Sequence, residues 1–266
     1  MNRIERTFKE LKARRKAAFI AFVTAGYPDL AATEKLIAEF GRAGVDIIEL
    51  GIPFSDPLAD GPLIQNASVE AIRNGATMEK IIAMVKRARR STDIPICFMT
   101  YYNPVFVMGE KRFIAACRDA GVDGVIIPDL PVEEGKKFSA AARRSGLDTV
   151  FFVSPTTADS RLRPISAASR GFIYYVSLAG VTGPRARLPR ELKNQVTRLK
   201  AFTDKPVCVG FGISSPAQVK EVGAFADGVI VGSAIVRKIK ENIGNPRMVS
   251  AVAGFTARLA GKPSRR

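Results

Sequence analysis

Short apolar runs alternate with amphipathic stretches eight times along the 266-residue chain, and this alternation leaves few folds open. The strand-like runs fall at 19–24, 47–50, 96–100, 124–127, 149–153, 172–176, 207–210 and 228–231. Stretches with helical periodicity lie between them, the clearest at 30–40, 78–88, 113–120 and 138–142. Strands that alternate with helices pair in parallel through helical crossovers. Strands that read as nearly continuous apolar runs are buried on both faces. The expected fold is an α/β (β/α)8 TIM barrel, for which about 250 residues is an ordinary length, so one domain over 1–266 is expected. An open doubly wound sheet is the alternative. It is disfavoured because no Gly-x-Gly-x-x-Gly follows the first strand.

An internal repeat supports the same reading. Ala43-Gly44-Val45-Asp46 recurs as Ala120-Gly121-Val122-Asp123, with weaker echoes at 145–148 and 224–228. Each copy reads as a helix stopped by a glycine that adopts positive φ, with a strand following at once. Ahead of the first strand, Ile4, Phe8 and Leu11 form a single helical stripe. An extra N-terminal helix covering the lower mouth of the barrel is expected there.

Composition narrows the chemistry. The chain has no histidine, which removes the usual general base near neutral pH and the commonest metal ligand. Acid–base work falls to Asp, Glu, Lys, Tyr or Cys. Cys97, Cys117 and Cys208 form no close pair and read as buried, reduced thiols; no metal-ligand cluster is visible. The net charge of +16 is spread along the chain without a nucleic-acid motif, so it reads as a basic surface that attracts anionic substrates. Arg14-Arg15-Lys16 before an apolar run resembles a twin-arginine signal, but the run is short and ends in a turn, which fits a first barrel strand better. No stretch has the roughly 20 apolar residues that span a bilayer. A cytoplasmic protein with neither a membrane nor a nucleic-acid partner is expected.

In such a barrel, chemistry sits where strands end and βα loops begin. Glu49 lies within the apolar run Ile47-Ile48-Glu49-Leu50, where a carboxylate is costly unless it works or is paired. Burial should raise its pKa and make it a proton shuttle. Asp56 and Asp60 lie in the Pro- and Gly-rich loop that follows, where acids are commonly just solvated. After the sixth strand, residues 177–189 carry Gly180 and Gly183, and the part from Gly183 to Pro189 is expected to be a lid that orders on ligand. Two stretches, Gly210-Phe211-Gly212-Ile213-Ser214-Ser215 and Gly232-Ser233-Ala234-Ile235-Val236, are candidate phosphate cradles after strands seven and eight.

The stretch from Glu49 to Pro62, Glu-Leu-Gly-Ile-Pro-Phe-Ser-Asp-Pro-Leu-Ala-Asp-Gly-Pro, resembles the signature of tryptophan synthase α subunits. Pro128-Asp129-Leu130-Pro131-Val132-Glu133-Glu134, Ser177 to Gly183, Gly210-Phe211-Gly212-Ile213 and Val231-Gly232-Ser233-Ala234 resemble the same family in the same order, and the similarity runs from Ile4 to the last helix. The resemblance implies retro-aldol cleavage of indole-3-glycerol phosphate to indole and glyceraldehyde 3-phosphate. It implies that Glu49 is the acid/base and that Asp60 accepts the indole N–H. Tyr174 is implied near the glycerol chain, and Phe22 and Thr24 near the indole and the aspartate of the second loop. Gly183, Gly212, Gly232 and Ser233 are implied at the phosphate. Asp56, Asn103 and Pro104 are implied to face a β subunit in an α2β2 tetramer. That partner would carry pyridoxal phosphate, this subunit no cofactor or metal. The strongly basic surface departs from the near-neutral or acidic one that the resemblance implies. A non-catalytic subunit that only activates β, and another sugar-phosphate barrel isomerase, remain the alternatives.

Overall fold

In the computed structural model, which describes residues 2–176, 188, 190–210 and 212–262, eight parallel strands close into a barrel in sequence order, the first pairing with the eighth. The elements are α1 (Arg3–Ala13), β1 (Ala18–Thr24), α2 (Leu30–Ala43), β2 (Ile47–Gly51), α3 (Pro62–Arg73), α4 (Met78–Ala88), β3 (Ile96–Met99), α5 (Tyr102–Met108), α6 (Glu110–Ala120), β4 (Gly124–Ile126), α7 (Lys136–Arg144), β5 (Asp148–Val153), α8 (Asp159–Ala168), β6 (Ile173–Val176), α9 (Leu192–Lys200), β7 (Val207–Gly210), α10 (Pro216–Gly223), β8 (Gly228–Val231), α11 (Ser233–Lys240) and α12 (Met248–Leu259). The barrel expected from the alternation is therefore present, and the open sheet is not.

Period-two alternation sorts the strand residues into two cores. Ala18, Ile20, Ile47, Cys97, Ile126, Val150, Phe172, Cys208 and Ile230 fill the barrel interior, together with Ile4 and Phe8 of α1. Phe19, Val23, Ile48, Leu50, Phe98, Ile173 and Val209 face the surrounding helices. The N-terminal helix thus plugs the lower mouth as its stripe predicted. Ile4 and Phe8 are buried, while Leu11 is only partly so.

The repeat has a second function besides stopping helices. Gly44 and Gly121 take left-handed φ of 90° and 79° at the ends of α2 and α6. The aspartate two residues later then clamps the preceding strand. Asp46 accepts the Phe19 N–H at 2.8 Å, Asp123 accepts that of Ile96 at 2.9 Å, and Asp227 accepts that of Val207 at 2.9 Å. These bonds satisfy donors at strand starts that the parallel ladder leaves open. Asp123 also pairs with Arg89 at 2.6 Å and Arg3 at 3.0 Å, which ties α1 and α4 to the barrel floor.

Candidate active site

Glu49 follows Ile47 on the inward face of β2, one layer nearer the upper opening. In register it lies beside Phe22 of β1 and Cys97 of β3. It is 1% exposed, and its Oε2 has no hydrogen-bond partner among the described residues. A buried carboxyl with nothing to stabilise its charge holds its proton. Burial, reinforced by the negative charge of Asp60, pushes the Glu49 pKa up to about 8. The expectation of a raised pKa at Glu49 is met, and desolvation is the main cause.

Asp60 lies in the loop between β2 and α3. Tyr101, the N-cap residue of α5 two positions past β3, donates its hydroxyl proton to Asp60 Oδ2 at 3.0 Å and accepts the Ala59 N–H at 2.9 Å. The Gln65 side chain donates to the Asp60 carbonyl at 2.9 Å. Burial raises the Asp60 pKa to about 6, and the Tyr101 bond works against that rise. Near neutral pH the two acids therefore differ: Glu49 is mostly protonated and Asp60 mostly ionised.

Tyr174 points inward from β6, buried against Phe152 with ring centroids 4.8 Å apart. Burial, with the charges of Glu49 and Asp60, keeps its hydroxyl protonated. Two glycines make the room these side chains need. A Cβ at Gly51 would lie 2.6 Å from the Phe22 ring, and one at Gly210 would lie 2.5 Å from the Tyr174 hydroxyl. Phe22, Glu49, Asp60, Tyr174, Gly212, Gly232 and Ser233 line one pocket, walled on its apolar side by Ile64, Met99, Ile213 and Ile230. Thr24 sits at the top of β1 with a buried hydroxyl oxygen that has no partner among the described residues. It is not among the residues lining the pocket.

The two glycine–hydroxyl stretches differ in one respect that decides what each can hold. At α10, Ser215 and Gln218 form a capping box, and Gln218 Oε1 accepts the N–H groups of Ser214 and Ser215 at 2.8 and 3.2 Å. That helix start is occupied by its own side chains. At α11, Gly232 is the N-cap and no side chain caps the helix. The α11 N-terminus opens on the pocket with its amide donors and positive dipole end available to an anion. Gly212, with φ of 76°, contributes to the opposite wall.

Tyr101 was not singled out in the sequence, where it reads as one of two tyrosines ending an apolar run. Gly183 and the expected lid fall outside the described residues, apart from Leu188, which is half-buried against the core. Asp56 and Asn103 are exposed and Pro104 is half-buried. Beside them stand three exposed apolar side chains: Leu58 at 83%, Phe106 at 66% and Val107 at 77%. Asp129 of the 128–134 stretch accepts the Tyr102 N–H at 2.9 Å and so fixes the start of α5, which carries two of these three.

A family model described as tryptophan synthase alpha chain matches residues 8–259. The tryptophan synthase alpha chain of Geotalea uraniireducens is 48% identical over 259 residues, which is 97% of this chain and 97% of that one. The chain belongs to the tryptophan synthase alpha chain family. A crystal structure of tryptophan synthase subunit alpha from Legionella pneumophila superposes with a TM-score of 0.92 at 36% identity, covering 98% of both chains. A structure of the tryptophan synthase α2β2 complex from Pyrococcus furiosus gives 0.87 at 38% identity, covering 92% of this chain and 98% of that one. The family reaction is that of a lyase, cleaving indole-3-glycerol phosphate to indole and glyceraldehyde 3-phosphate on the way to tryptophan. Among the described residues no helix is long and apolar enough to cross a membrane. No group of three or more His, Cys, Asp or Glu among them is placed to hold a metal ion.

Proposed function

We propose that Glu49 carries both proton transfers of the tryptophan synthase α reaction and that Asp60 reads the indole nitrogen. The protonated Glu49 carboxyl gives its proton to C3 of the indole ring, which becomes an indoleninium-like cation. The resulting carboxylate then takes the proton of the glycerol hydroxyl next to the ring. As that oxygen becomes a carbonyl, the C–C bond breaks and its electron pair returns to the ring. Indole and glyceraldehyde 3-phosphate leave, and Glu49 is protonated again. A carboxyl with a pKa near neutrality suits this double role. Asp60, ionised and held by Tyr101, accepts the indole N–H and stabilises the positive charge that develops on the ring.

In the same reading Phe22 packs on the indole and Tyr174 borders the glycerol chain. The uncapped α11 start at Gly232 and Ser233, with Gly212 opposite, holds the phosphate. Thr24 supports the floor beneath the indole, and Gly183 belongs to the phosphate side. The chemistry is complete with protein side chains, so this subunit uses no cofactor of its own.

The Pyrococcus furiosus relative is an α2β2 complex. We infer that this cytoplasmic chain likewise docks a β subunit, in which pyridoxal phosphate serves the next step. The docking face is the one around Asp56, Leu58, Asn103, Pro104, Phe106 and Val107. The observation that carries the reading of the active site is the buried carboxyl of Glu49, whose Oε2 has no partner among the described residues, in one pocket with Asp60 and an open helix start. Indole release from indole-3-glycerol phosphate tests it. Glu49→Gln should lower kcat by about 10²–10⁴-fold. Turnover at the wild-type level in that variant removes Glu49 from the mechanism, and a chain that activates β without releasing indole is a regulatory subunit instead.

A further inference from the structure

A second large recess lies at the opposite end of the barrel from Glu49. It is a cavity of about 550 Å³ between the second half of α1 and the lower ends of β6, β7, β8 and β1. Its apolar lining includes Phe8, which packs on Phe172 with ring centroids 5.9 Å apart, and Phe225. Basic side chains far outnumber acids around it.

The balance of charge inside is unusual. Lys200 is neutralised by Asp227 at 2.9 Å. Arg170 and Lys205 are half-buried and make no ion pair within 4 Å of a carboxylate among the described residues; a counter-charge for Arg170 is Asp148, whose pKa its charge lowers. Among the described residues, the Lys205 ammonium reaches only the Ser166 carbonyl. Burial and the neighbouring charges of Arg170 and Arg143 push its pKa down, as expected for a cation that lacks a counter-charge. Along the rim, Lys12, Arg15 and Lys16 are exposed and likewise unpaired among the described residues. Arg15 holds a left-handed φ of 52°, a conformation that glycine or asparagine ordinarily supplies, and the chain turns there into the rim. Glu5 and Asp204 are the acids left at the edge, and both are exposed. Half-buried cations without a direct ion-pair partner among the described residues, set beside an aromatic wall, form a receptor for an anion that also has an apolar body.

We propose that this lower recess is a second ligand site, for an organic phosphate whose aromatic body lies on Phe8 and Phe225 and whose phosphate groups meet Arg170 and Lys205. It does not depend on the roles assigned in the upper pocket.

Isothermal titration of the full chain with ATP as probe tests this, with the upper pocket kept saturated by indole-3-propanol phosphate. ATP should bind with a Kd below about 1 mM, and tripolyphosphate, which lacks the aromatic body, more weakly. The R170A/K205A double variant should weaken ATP binding by at least about tenfold, in line with the loss of charge-assisted contacts. Because those side chains are half-buried, Lys12→Glu with Lys16→Glu on the exposed rim provides a second variant, expected to weaken binding in the same direction. Phe225→Ala should weaken ATP and leave tripolyphosphate unchanged. Absence of ATP binding up to about 10 mM overturns the proposal. So does ATP affinity that neither charge variant changes, or binding seen only when the upper pocket is empty.

Discussion

Tyr101 and Asp60 are joined by a hydrogen bond of 3.0 Å, and through it the N-cap residue of α5, just past β3, biases the charge state of a carboxylate on the loop after β2. The phenol is itself fixed, since it accepts the Ala59 N–H at 2.9 Å and its ring lies 5.4 Å from that of Phe54. A donor aimed at the ionised form keeps Asp60 lower than burial alone would. Tyr101→Phe should therefore raise the Asp60 pKa above its present value of about 6. The acid limb of kcat/KM should move to higher pH, and activity at pH 7 should fall by about tenfold, the size of one hydrogen bond to a charged group. An acid limb in the variant that coincides with wild type would show that Asp60 does not depend on the phenol.

The two acids together predict a bell-shaped profile. Asp60 ionises at about 6 and Glu49 at about 8, so the form with Asp60 charged and Glu49 protonated is most populated between these values. Because the charge of Asp60 raises Glu49, the basic limb reports the pair rather than Glu49 alone. Asp60→Asn should remove the acid limb and lower the plateau, while the basic limb moves down as the repulsion on Glu49 is lost. A basic limb that stays fixed in Asp60→Asn would mean that the two groups are not coupled.

Glu49 also has a cost in stability, and its sign follows from linkage. At low pH the carboxyl is protonated whether the chain is folded or not. Above the ordinary value of 4.5 the unfolded chain loses the proton while the folded one keeps it, so stability falls with rising pH until the folded value of about 8 is passed. Glutamine carries no such proton. Glu49→Gln should therefore be more stable than wild type by an amount that grows from pH 5 to pH 8, to on the order of 2–4 kcal/mol, and then levels off. Urea unfolding of both proteins at pH 5, 7 and 9 measures the gap. An inactive variant that is also the more stable one is expected where a fold carries strain for the sake of function.

The sequence carries the local physics of this chain and little of the non-local. Strands buried on both faces announce themselves as apolar runs, helix stops at Gly44 and Gly121 need only positive φ, and a glutamate inside such a run stands out at once. The clamps made by Asp46, Asp123 and Asp227 were hidden, because the N–H each accepts belongs to another strand 20 to 27 residues away. Tyr101 was hidden likewise, since its carboxylate partner is 41 residues distant. The two phosphate-cradle candidates looked equivalent until Gln218 folded back on the start of α10 and left only the α11 start open.

Gly210 is another position whose necessity is spatial. An added methyl there would lie 2.5 Å from the Tyr174 hydroxyl and 2.6 Å from its ring, against a side chain that is buried and cannot simply swing aside. Gly210→Ala should cost about 1–3 kcal/mol through overpacking. By displacing Tyr174 it should also lower kcat/KM by up to about 100-fold. Thermal unfolding and steady-state kinetics read the two effects separately. A variant with wild-type kinetics would show that the site tolerates movement of Tyr174.

The exposed apolar side chains Leu58, Phe106 and Val107 have no structural reason to face water, and they lie on two segments that Tyr101 and Asp129 hold in place. Polar residues at these positions would be expected if the face stayed solvated. Leu58→Lys and Phe106→Lys should each weaken association with the β subunit by about 30-fold, as befits a central apolar anchor made charged. Because neither side chain lines the pocket, indole release by the isolated chain should stay at the wild-type level. Size-exclusion chromatography with β, run beside the indole assay, separates these effects. If both variants still form the complex at wild-type affinity, the β subunit docks elsewhere. If they lose indole release without β, then the loop after β2 and the start of α5 shape the pocket itself.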